Sequence, residues 1–280
     1  MALTTSTSEG LGLVLAGLAL GPGDEILTSD EEHPGLIGPL AAAQARGVAI
    51  RMAPLATLHD AVTPATTLVA CSHVGWVSGV LAPAELGELD VPVILDGAQG
   101  AGAVPVDPAA LGCAAYAAAG QKWLCGADGT GFLWLEPGFG ERVRAIAPSY
   151  TSFADASLGL DSPLRPGAGR HDTPALATEV VAFSAGALAF LADAGHDAVH
   201  ARACAQAAAL AERLAAAGRT VAPRDHTTLV AWEDPDPVST RDRLAAASIV
   251  VRDLPGRPLL RASVGAWTSD EDLDRLLAEL

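Results

Sequence analysis

The amino-acid sequence predicts an α/β fold, with a mostly parallel sheet covered by helices and a small C-terminal α/β domain. Short β-rich runs alternate with helical or turn-rich segments from residue 6 to about residue 135. Several of these runs are apolar without polar alternation, which is typical of strands buried on both faces of a parallel sheet. Polar side chains follow three of the runs, at the sheet edge where such folds bind ligands.

Five strands are predicted in the first part of the chain, at residues 25–28, 67–71, 91–95, 113–117 and 131–135. Ser72 and His73 follow the second strand, and Asp96 and Gln99 follow the third. Lys122 comes shortly after the fourth. Because the carboxyl ends of parallel strands meet at one edge, we expect these side chains to form one site.

The second part of the chain begins after a loop rich in Ser, Gly and Pro at residues 151–169. A helix is predicted from a cap at Asp172 or Thr173, with Pro174 in its first turn, to about Leu191. The remaining predicted elements are a helix at 197–217, strands at 227–232, 249–251 and 259–264, and a last helix capped by Ser269. The predicted domains are therefore residues 1–172 and 173–280.

Lysine is almost absent from this chain, because 16 of the 17 basic residues are arginine and only Lys122 is lysine. Arginine stays protonated, whereas a desolvated lysine can lose its proton and form Schiff bases. Lys122 is therefore a candidate for reactivity. The alternative is an ordinary surface lysine.

The composition disfavours several classes of protein. A net charge of −16 argues against nucleic acid or anionic membranes as partners. The longest apolar run, residues 11–20, is too short for a transmembrane helix, and no basic segment precedes it as in a secretory signal. The four cysteines, Cys71, Cys113, Cys125 and Cys204, lack the paired spacing of a zinc site or a disulfide framework. A cytoplasmic protein without a metal is expected.

Two segments are able to carry chemistry. Asp96 ends an apolar strand, where a carboxylate can keep the ring nitrogen of a pyridoxal cofactor protonated or can simply cap the next turn. Lys122 lies between a strand and the glycine-rich turn at residues 126–131. The residues alone leave both interpretations of Asp96 open.

Three motifs occur in the same order as in a known family: Ser72-His73-Val74, Asp96-Gly97-Ala98-Gln99 and the lysine segment 119–131. In these motifs the chain resembles the class V aminotransferase-fold pyridoxal-phosphate enzymes. That group includes cysteine desulfurases, selenocysteine lyases, isopenicillin epimerase-like proteins and cysteine-sulfoxide lyases. The resemblance extends over nearly the whole chain and implies the fold type I architecture of pyridoxal-phosphate-dependent transferases. Glu32-His33-Pro34 also matches a family stretch and is expected to be structural.

The resemblance implies roles around a pyridoxal 5'-phosphate cofactor. As a catalytic residue, Lys122 would form a Schiff base with the cofactor and would later move the Cα proton of the substrate. Asp96 would pair with the pyridine nitrogen, and Gln99 would hydrogen-bond the phenolic oxygen. His73 would stack on the ring as a second catalytic residue.

The resemblance also implies a phosphate site and a substrate site. The phosphate would be bound by Ser6, Thr7 and Ser8, in a turn at a helix N-terminus, and by Gln121 in the lysine segment. Thr173 would contribute from a segment that reaches the phosphate of a neighbouring subunit in family dimers. The turn is also readable as an ordinary capping box. Arg261 would bind the substrate α-carboxylate, although a surface ion pair is the alternative for any arginine in so acidic a chain.

Three departures from the family pattern qualify the resemblance. Family members usually have some tens of residues before the phosphate turn, so we expect a chain whose turn begins at Ser6 to be N-terminally incomplete. No cysteine lies between Cys204 and Arg261, where desulfurases carry their nucleophile, which disfavours a persulfide-forming desulfurase. Ala119 stands where many members have serine.

The sequence therefore predicts a homodimeric pyridoxal-phosphate enzyme that acts on a small amino acid through an external aldimine. It is expected to be of the aminotransferase or C–S/β-elimination lyase type, and the residues do not exclude epimerisation. The alternative is an inactive family member that keeps the fold. A nucleotide site is poorly supported, because residues 126–131 spell G-x-x-G-x-G instead of G-x-G-x-x-G. A serine hydrolase is also poorly supported, since the only segment that resembles a nucleophile elbow is imperfect and lies in a predicted helix.

Overall fold

A computed structural model describes all residues 1–280 and contains two β-sheets. The larger sheet has seven strands in the order β1-β7-β6-β5-β4-β2-β3. These strands are β1 (Ala2–Thr4), β2 (Glu25–Ser29), β3 (Ala49–Ala53), β4 (Thr66–Ser72), β5 (Val93–Asp96), β6 (Ala115–Ala119) and β7 (Gly131–Leu135). The pairs from β3 through β6 are parallel, and β7 pairs antiparallel with both β6 and β1.

Both faces of the large sheet are covered, as the continuous apolar strands predict. Helices α1 (Thr7–Gly17) and α2 (Pro34–Ala45) pack on one face, which includes Ile94. Short 3₁₀ segments cover the other face, which includes Leu95 and Tyr116. A short helix, α3 (Pro137–Gly140), follows β7. Successive residues of each strand therefore enter different cores, and Asp96 points to the face of Ile94.

The smaller sheet is antiparallel, in the order β8-β10-β9, and is formed by β8 (Leu229–Glu233), β9 (Arg252–Asp253) and β10 (Leu259–Ser263). The helices of this part are α4 (Thr178–Ala194), α5 (His196–Ala216), α6 (Pro237–Ala246) and α7 (Asp270–Ala278). Leu210, Trp232, Leu260 and Leu276 form the centre of its core.

Most predicted elements are present, and their differences from the structure have physical causes. The strand at 131–135 has the predicted bounds, whereas the one predicted at 249–251 is wrong, since the strand lies at Arg252–Asp253. Helix α4 begins after Ala177 and not at a cap on Asp172 or Thr173. Those two residues bond to β1 instead: Leu3 N–H donates to Asp172 Oδ1 at 2.8 Å, and Thr173 N–H donates to the Leu3 carbonyl at 2.9 Å. The domain boundary at 172/173 stays a prediction.

No single helix is long and apolar enough to cross a membrane. Only α4 and α5 taken together meet the length and composition required, and they are bent by 83° relative to each other.

Candidate active site

Asp96 is the last residue of β5, at the carboxyl edge of the sheet. Its side chain is buried, and Oδ1 accepts a hydrogen bond of 2.8 Å from Ala98 N–H. Burial raises the pKa of this carboxyl, while the Ala98 bond and the charge of Lys122 lower it. A buried carboxylate with little neutralisation favours a cationic partner.

Lys122 lies in a tight loop after β6. Gly120 N–H donates to the Thr130 carbonyl at 2.7 Å, and Gly126 N–H donates to the Gly120 carbonyl at 2.8 Å. The amine itself makes no hydrogen bond or ion pair. Burial lowers its pKa, the charge of Asp96 raises it, and the charges of Arg261 and Arg252 lower it further. An amine in this state is more readily available as a nucleophile or a base than a solvated lysine.

A cavity of about 250 Å³ opens beside Lys122 and is also lined by Gln99, Trp123, Ser263 and Trp267. Gln99 Oε1 accepts a 2.9 Å hydrogen bond from Trp123 Nε1, which leaves the Gln99 amide N–H groups as donors. The ring of Trp267 lies 6.3 Å from that of Trp123. The cavity therefore combines one amine, one amide donor and two aromatic surfaces.

Arg261 and Arg252 bring two positive charges to the same region. Arg261 on β10 is only 5% exposed, donates to the Trp76 carbonyl through Nη1, and has a buried Nε without a partner. Arg252 is its antiparallel register partner on β9. The guanidinium carbons lie 5.6 Å and 5.4 Å from the Trp76 ring, and neither arginine has a carboxylate partner. Burial, together with the charge of Arg252, lowers the pKa of Arg261 to about 10.

His33 faces this cationic region, although the sequence suggested a structural role for it. It caps α2, its Nδ1 accepting from Gly35 N–H at 2.9 Å, and its ring packs edge-on against Trp76 at 5.2 Å. Burial lowers its pKa to about 4, assisted by the charges of Lys122, Arg252 and Arg261. Its position shortly after β2 resembles that of the other site residues after their strands, and this signal could have identified it.

His73, in contrast, is placed away from Lys122. Its Nδ1 is hydrogen-bonded to Tyr116 Oη at 3.0 Å, and it lines a separate cavity of about 440 Å³ together with His200 and His226. Burial alone lowers its pKa to about 4. Successive side chains along a strand point to alternate faces of the sheet, and Ser72 points to the face of Ile94. His73 therefore points to the other face, into the core that contains Tyr116. The predicted stacking role of His73 therefore has no support in its placement, and His33 is the better-placed imidazole.

The predicted phosphate turn is the N-terminus of α1. Ser6 Oγ accepts from Glu9 N–H at 3.1 Å, the Thr7 hydroxyl is buried without a partner, and Ser8 is exposed. Thr173 Oγ1 donates to Glu9 Oε1 at 2.7 Å, so Thr173 lies against this turn in its own chain. Gln121 is exposed next to Lys122.

This set of groups fits pyridoxal phosphate. The helix N-terminus offers N–H groups and hydroxyls to a phosphate, and the buried Asp96 suits a protonated ring nitrogen. Lys122 supplies an amine of lowered pKa, and Gln99 supplies a free amide donor. The partnerless Nε of buried Arg261 suits an incoming carboxylate.

Comparisons with known proteins agree with this chemistry. The profile of the family described as aminotransferase class-V matches residues 2–276. Isopenicillin N epimerase of Streptomyces clavuligerus is 29% identical over 99% of this chain and 78% of its own length. A probable cysteine desulfurase of Pseudomonas aeruginosa is 35% identical over 57% of this chain and 46% of its own length.

Solved structures extend the comparison. A complex of the cystine C–S lyase C-DES with its reaction product cysteine persulfide is similar at a TM-score of 0.92 and 27% identity, over 99% of this chain and 80% of that one. A mutant of C-DES with glycine covalently linked to its PLP cofactor has the same score and identity, over 99% and 79%. These similarities show the fold type I architecture of pyridoxal-phosphate enzymes for this chain.

Proposed function

Because the chain belongs to the class V aminotransferases and uses pyridoxal phosphate, we propose that it cleaves a C–S bond of a small sulfur amino acid by β-elimination. The observation that carries this proposal is the absence of a thiol from the Lys122 cavity. Cys71, Cys113 and Cys204 are buried, and the Cys125 thiol is directed to the Trp123 carbonyl at 3.8 Å. No protein thiol is therefore positioned to take up sulfur, whereas β-elimination leaves the sulfur on the departing group.

The residues around Lys122 support distinct roles in this reaction. The cofactor, when bound, supplies an electron sink that makes the substrate Cα–H acidic. The Lys122 amine, with its lowered pKa, takes the Cα proton as a positioned base. Asp96 would keep the ring nitrogen protonated, and Gln99 would donate to the ring oxygen. We assign the stacking role to His33, not to His73.

The phosphate and the carboxylates have separate binding groups in the proposal. Ser6, Thr7, Ser8 and Gln121 would bind the phosphate, and Thr173 supports the turn through Glu9. Arg261 binds the α-carboxylate next to Lys122, and the unneutralised Arg252 binds a second carboxylate. A substrate with two carboxylates is therefore favoured over one with a single carboxylate.

Cystine satisfies this requirement, and it is named as the substrate of the C–S lyase to which the chain is similar. In the proposed reaction the Cα proton is removed and the Cβ–S bond breaks, and its electron pair leaves with sulfur. Cystine and one water then give cysteine persulfide, pyruvate and ammonia. The persulfide is a free product, which reconciles the proposal with relatives that are named cysteine desulfurases.

We further propose that the chain acts as a homodimer. Helix α4 is mostly apolar between residues 180 and 192, yet Leu191 is its only buried residue. Helices with so many apolar residues are normally covered, and Phe183 and Phe190 remain 62% and 72% exposed in the single chain. A second copy covering α4 accounts for this surface.

The test is absorption and turnover of purified protein supplied with pyridoxal phosphate. We expect a visible absorption band that is absent in Lys122→Ala and Lys122→Arg, and release of pyruvate, ammonia and persulfide from cystine. A keto acid without ammonia would indicate transamination, and inversion at Cα without release would indicate epimerisation, as in one relative's name. A band without any turnover of amino acids would support the inactive alternative and would overturn the proposed activity.

A further inference from the structure

Glu32 is a buried carboxylate that none of the roles above uses. It lies between β2 and α2, and its Oε1 accepts from Ser72 N–H at 2.9 Å and from Ser29 Oγ. Its Oε2 accepts from Ser72 Oγ at 2.6 Å. No basic side chain pairs with it, so the charge is stabilised by neutral donors alone.

Ser72 connects Glu32 to Asp96. It is the register partner of Asp96 in the parallel β4–β5 ladder, and the next residue donates its N–H to the Asp96 carbonyl at 2.9 Å. The side chains of Ser72 and Asp96 point to the same face of the sheet. The two carboxyl groups therefore share one buried region. Burial raises the pKa of Glu32 to about 7; the hydrogen bonds from Ser29 and Ser72 oppose this rise, and the charge of Asp96 adds to it.

On the proposed function, which places a protonated ring nitrogen against Asp96, we infer that Glu32 is a positioning residue whose negative charge keeps that nitrogen protonated. A single carboxylate next to a buried cation supplies one counter-charge. A second carboxylate in the same low-dielectric region stabilises the cation further and raises the pH at which it loses its proton.

The other groups around Glu32 do not supply this charge. The Cys71 thiol on β4 has a pKa well above its usual range because of burial and the nearby carboxylates, so it stays neutral. His33 on α2 is neutral above its pKa of about 4. Lys122 is basic and therefore supplies no negative charge. Asp96 and Glu32 are therefore the two acidic groups of this region.

Glu31 provides a control, because it also accepts from the N–H and the hydroxyl of one serine, while its charge is not among those that shift the pKa of Asp96. Its Oε2 accepts from Ser78 N–H at 2.9 Å and from Ser78 Oγ at 2.6 Å. Glu32→Gln and Glu31→Gln remove one charge each and keep a side chain of the same size that still hydrogen-bonds serine. If the role of Glu32 were purely structural, the ring nitrogen of the bound cofactor would lose its proton at the same pH in both variants.

The experiment uses pyridoxal phosphate that is isotope-labelled at the ring nitrogen, bound to the wild type and to both variants. The chemical shift of that nitrogen is followed against pH by nuclear magnetic resonance. We expect the deprotonation midpoint in Glu32→Gln to lie about one pH unit or more below that of the wild type. In Glu31→Gln the ring nitrogen should have the same deprotonation midpoint as in the wild type.

Equal midpoints for Glu32→Gln and the wild type would overturn the inference and leave the proposed function intact. A wild type that takes up no cofactor would overturn both. If Glu32→Gln does not fold, the inference can be tested with the wild type alone. Electrostatic coupling is reciprocal, so a protonated ring nitrogen must act on the Glu32 carboxyl as strongly as that carboxylate acts on the nitrogen. Cofactor binding should then lower the midpoint of the glutamate carboxyl that titrates near neutral pH, and an unchanged midpoint would contradict the inference.

Discussion

Burial and charge oppose each other at Asp96 and Lys122. Burial drives each group toward its neutral form, while each charge favours the ionised form of the other. The two positive arginines shift this balance at Lys122 toward the free amine. A neutral amine is the form that reacts with a carbonyl group or accepts a proton, so the surrounding charges prepare this lysine for both acts.

Replacement of the buried His73 and of the half-buried His33 should affect different properties of the protein. The folded-state pKa of His73 is about 4, below its ordinary 6.5, so its contribution to stability is complete above pH 6.5 and is lost as the pH falls toward 4. Between these values the wild type should lose about 3 kcal/mol relative to His73→Gln, measured by urea unfolding.

Cofactor affinity separates the two positions further. His73→Gln should bind pyridoxal phosphate as the wild type does, whereas His33→Gln should bind it more weakly, because only His33 faces Lys122. A loss of affinity confined to His73→Gln would support the original sequence prediction instead.

Replacement of Arg252 and replacement of Arg261 should have different effects on the KM for different substrates. Arg252→Ala should raise the KM for cystine about 10-fold or more and leave a cysteine S-conjugate with one carboxylate nearly unaffected, since one charge-assisted interaction is lost. Arg261→Ala should impair both substrates. Equal losses for both substrates in Arg252→Ala would exclude a second carboxylate site.

The sequence identified some site residues and missed others for a reason visible in their positions. Lys122 and Asp96 follow predicted strands and match family motifs, and the structure brings them together. Arg252 lies in a strand of two residues, too short to leave a pattern. The choice between His73 and His33 depends on which face of a sheet a side chain enters, and a shift of one residue reverses that face.

At the scale of elements, the loop between β6 and β7 holds Lys122 by close backbone packing. Cys125 has a φ of 54°, and a Cβ on Gly120 would lie 2.2 Å from Thr130 Oγ1. Such contacts leave little freedom for the lysine backbone. The position of the Lys122 backbone is therefore determined by the fold before any ligand binds.

Replacement of Gly120 should test this. Gly120→Ala should lower the free energy of unfolding by about 1–3 kcal/mol and weaken cofactor binding, because the added methyl group displaces Thr130. Gly12→Ala in α1, where a Cβ meets nothing within 4 Å, should be neutral or stabilising by about 0.5–1 kcal/mol. Thermal unfolding and cofactor titration of both variants make the comparison; equal behaviour would contradict a packed loop.

Elements with long apolar runs were predictable, and those fixed by distant contacts were not. The central strands β4, β5 and β6 were found because both of their faces are buried. Strand β1 has three residues and exists through its pairing with β7, which is more than 120 residues away. Likewise, Asp172 and Thr173 have the residue types of a helix cap but bond to β1.

At the scale of the whole molecule, the exposed α4 predicts the state of association. Phe183→Asp combined with Phe190→Asp should convert a dimer to monomers in sedimentation experiments, because two charges would enter an apolar interface. Val250, which lies outside α4 and is 91% exposed, offers a control site, and Val250→Asp should leave the mass unchanged. A wild type that sediments as a monomer would contradict the proposed dimer.

Strand β1 also has a consequence for the time at which the active site forms during synthesis. Leu3 bonds to a residue 169 positions later, and that same later segment supports the turn at Ser6 through Thr173 and Glu9. A growing chain emerges N-terminus first, so the turn at Ser6 must wait for Thr173 before its contacts are complete. The turn proposed to bind phosphate therefore cannot reach its finished geometry until Thr173 has been translated.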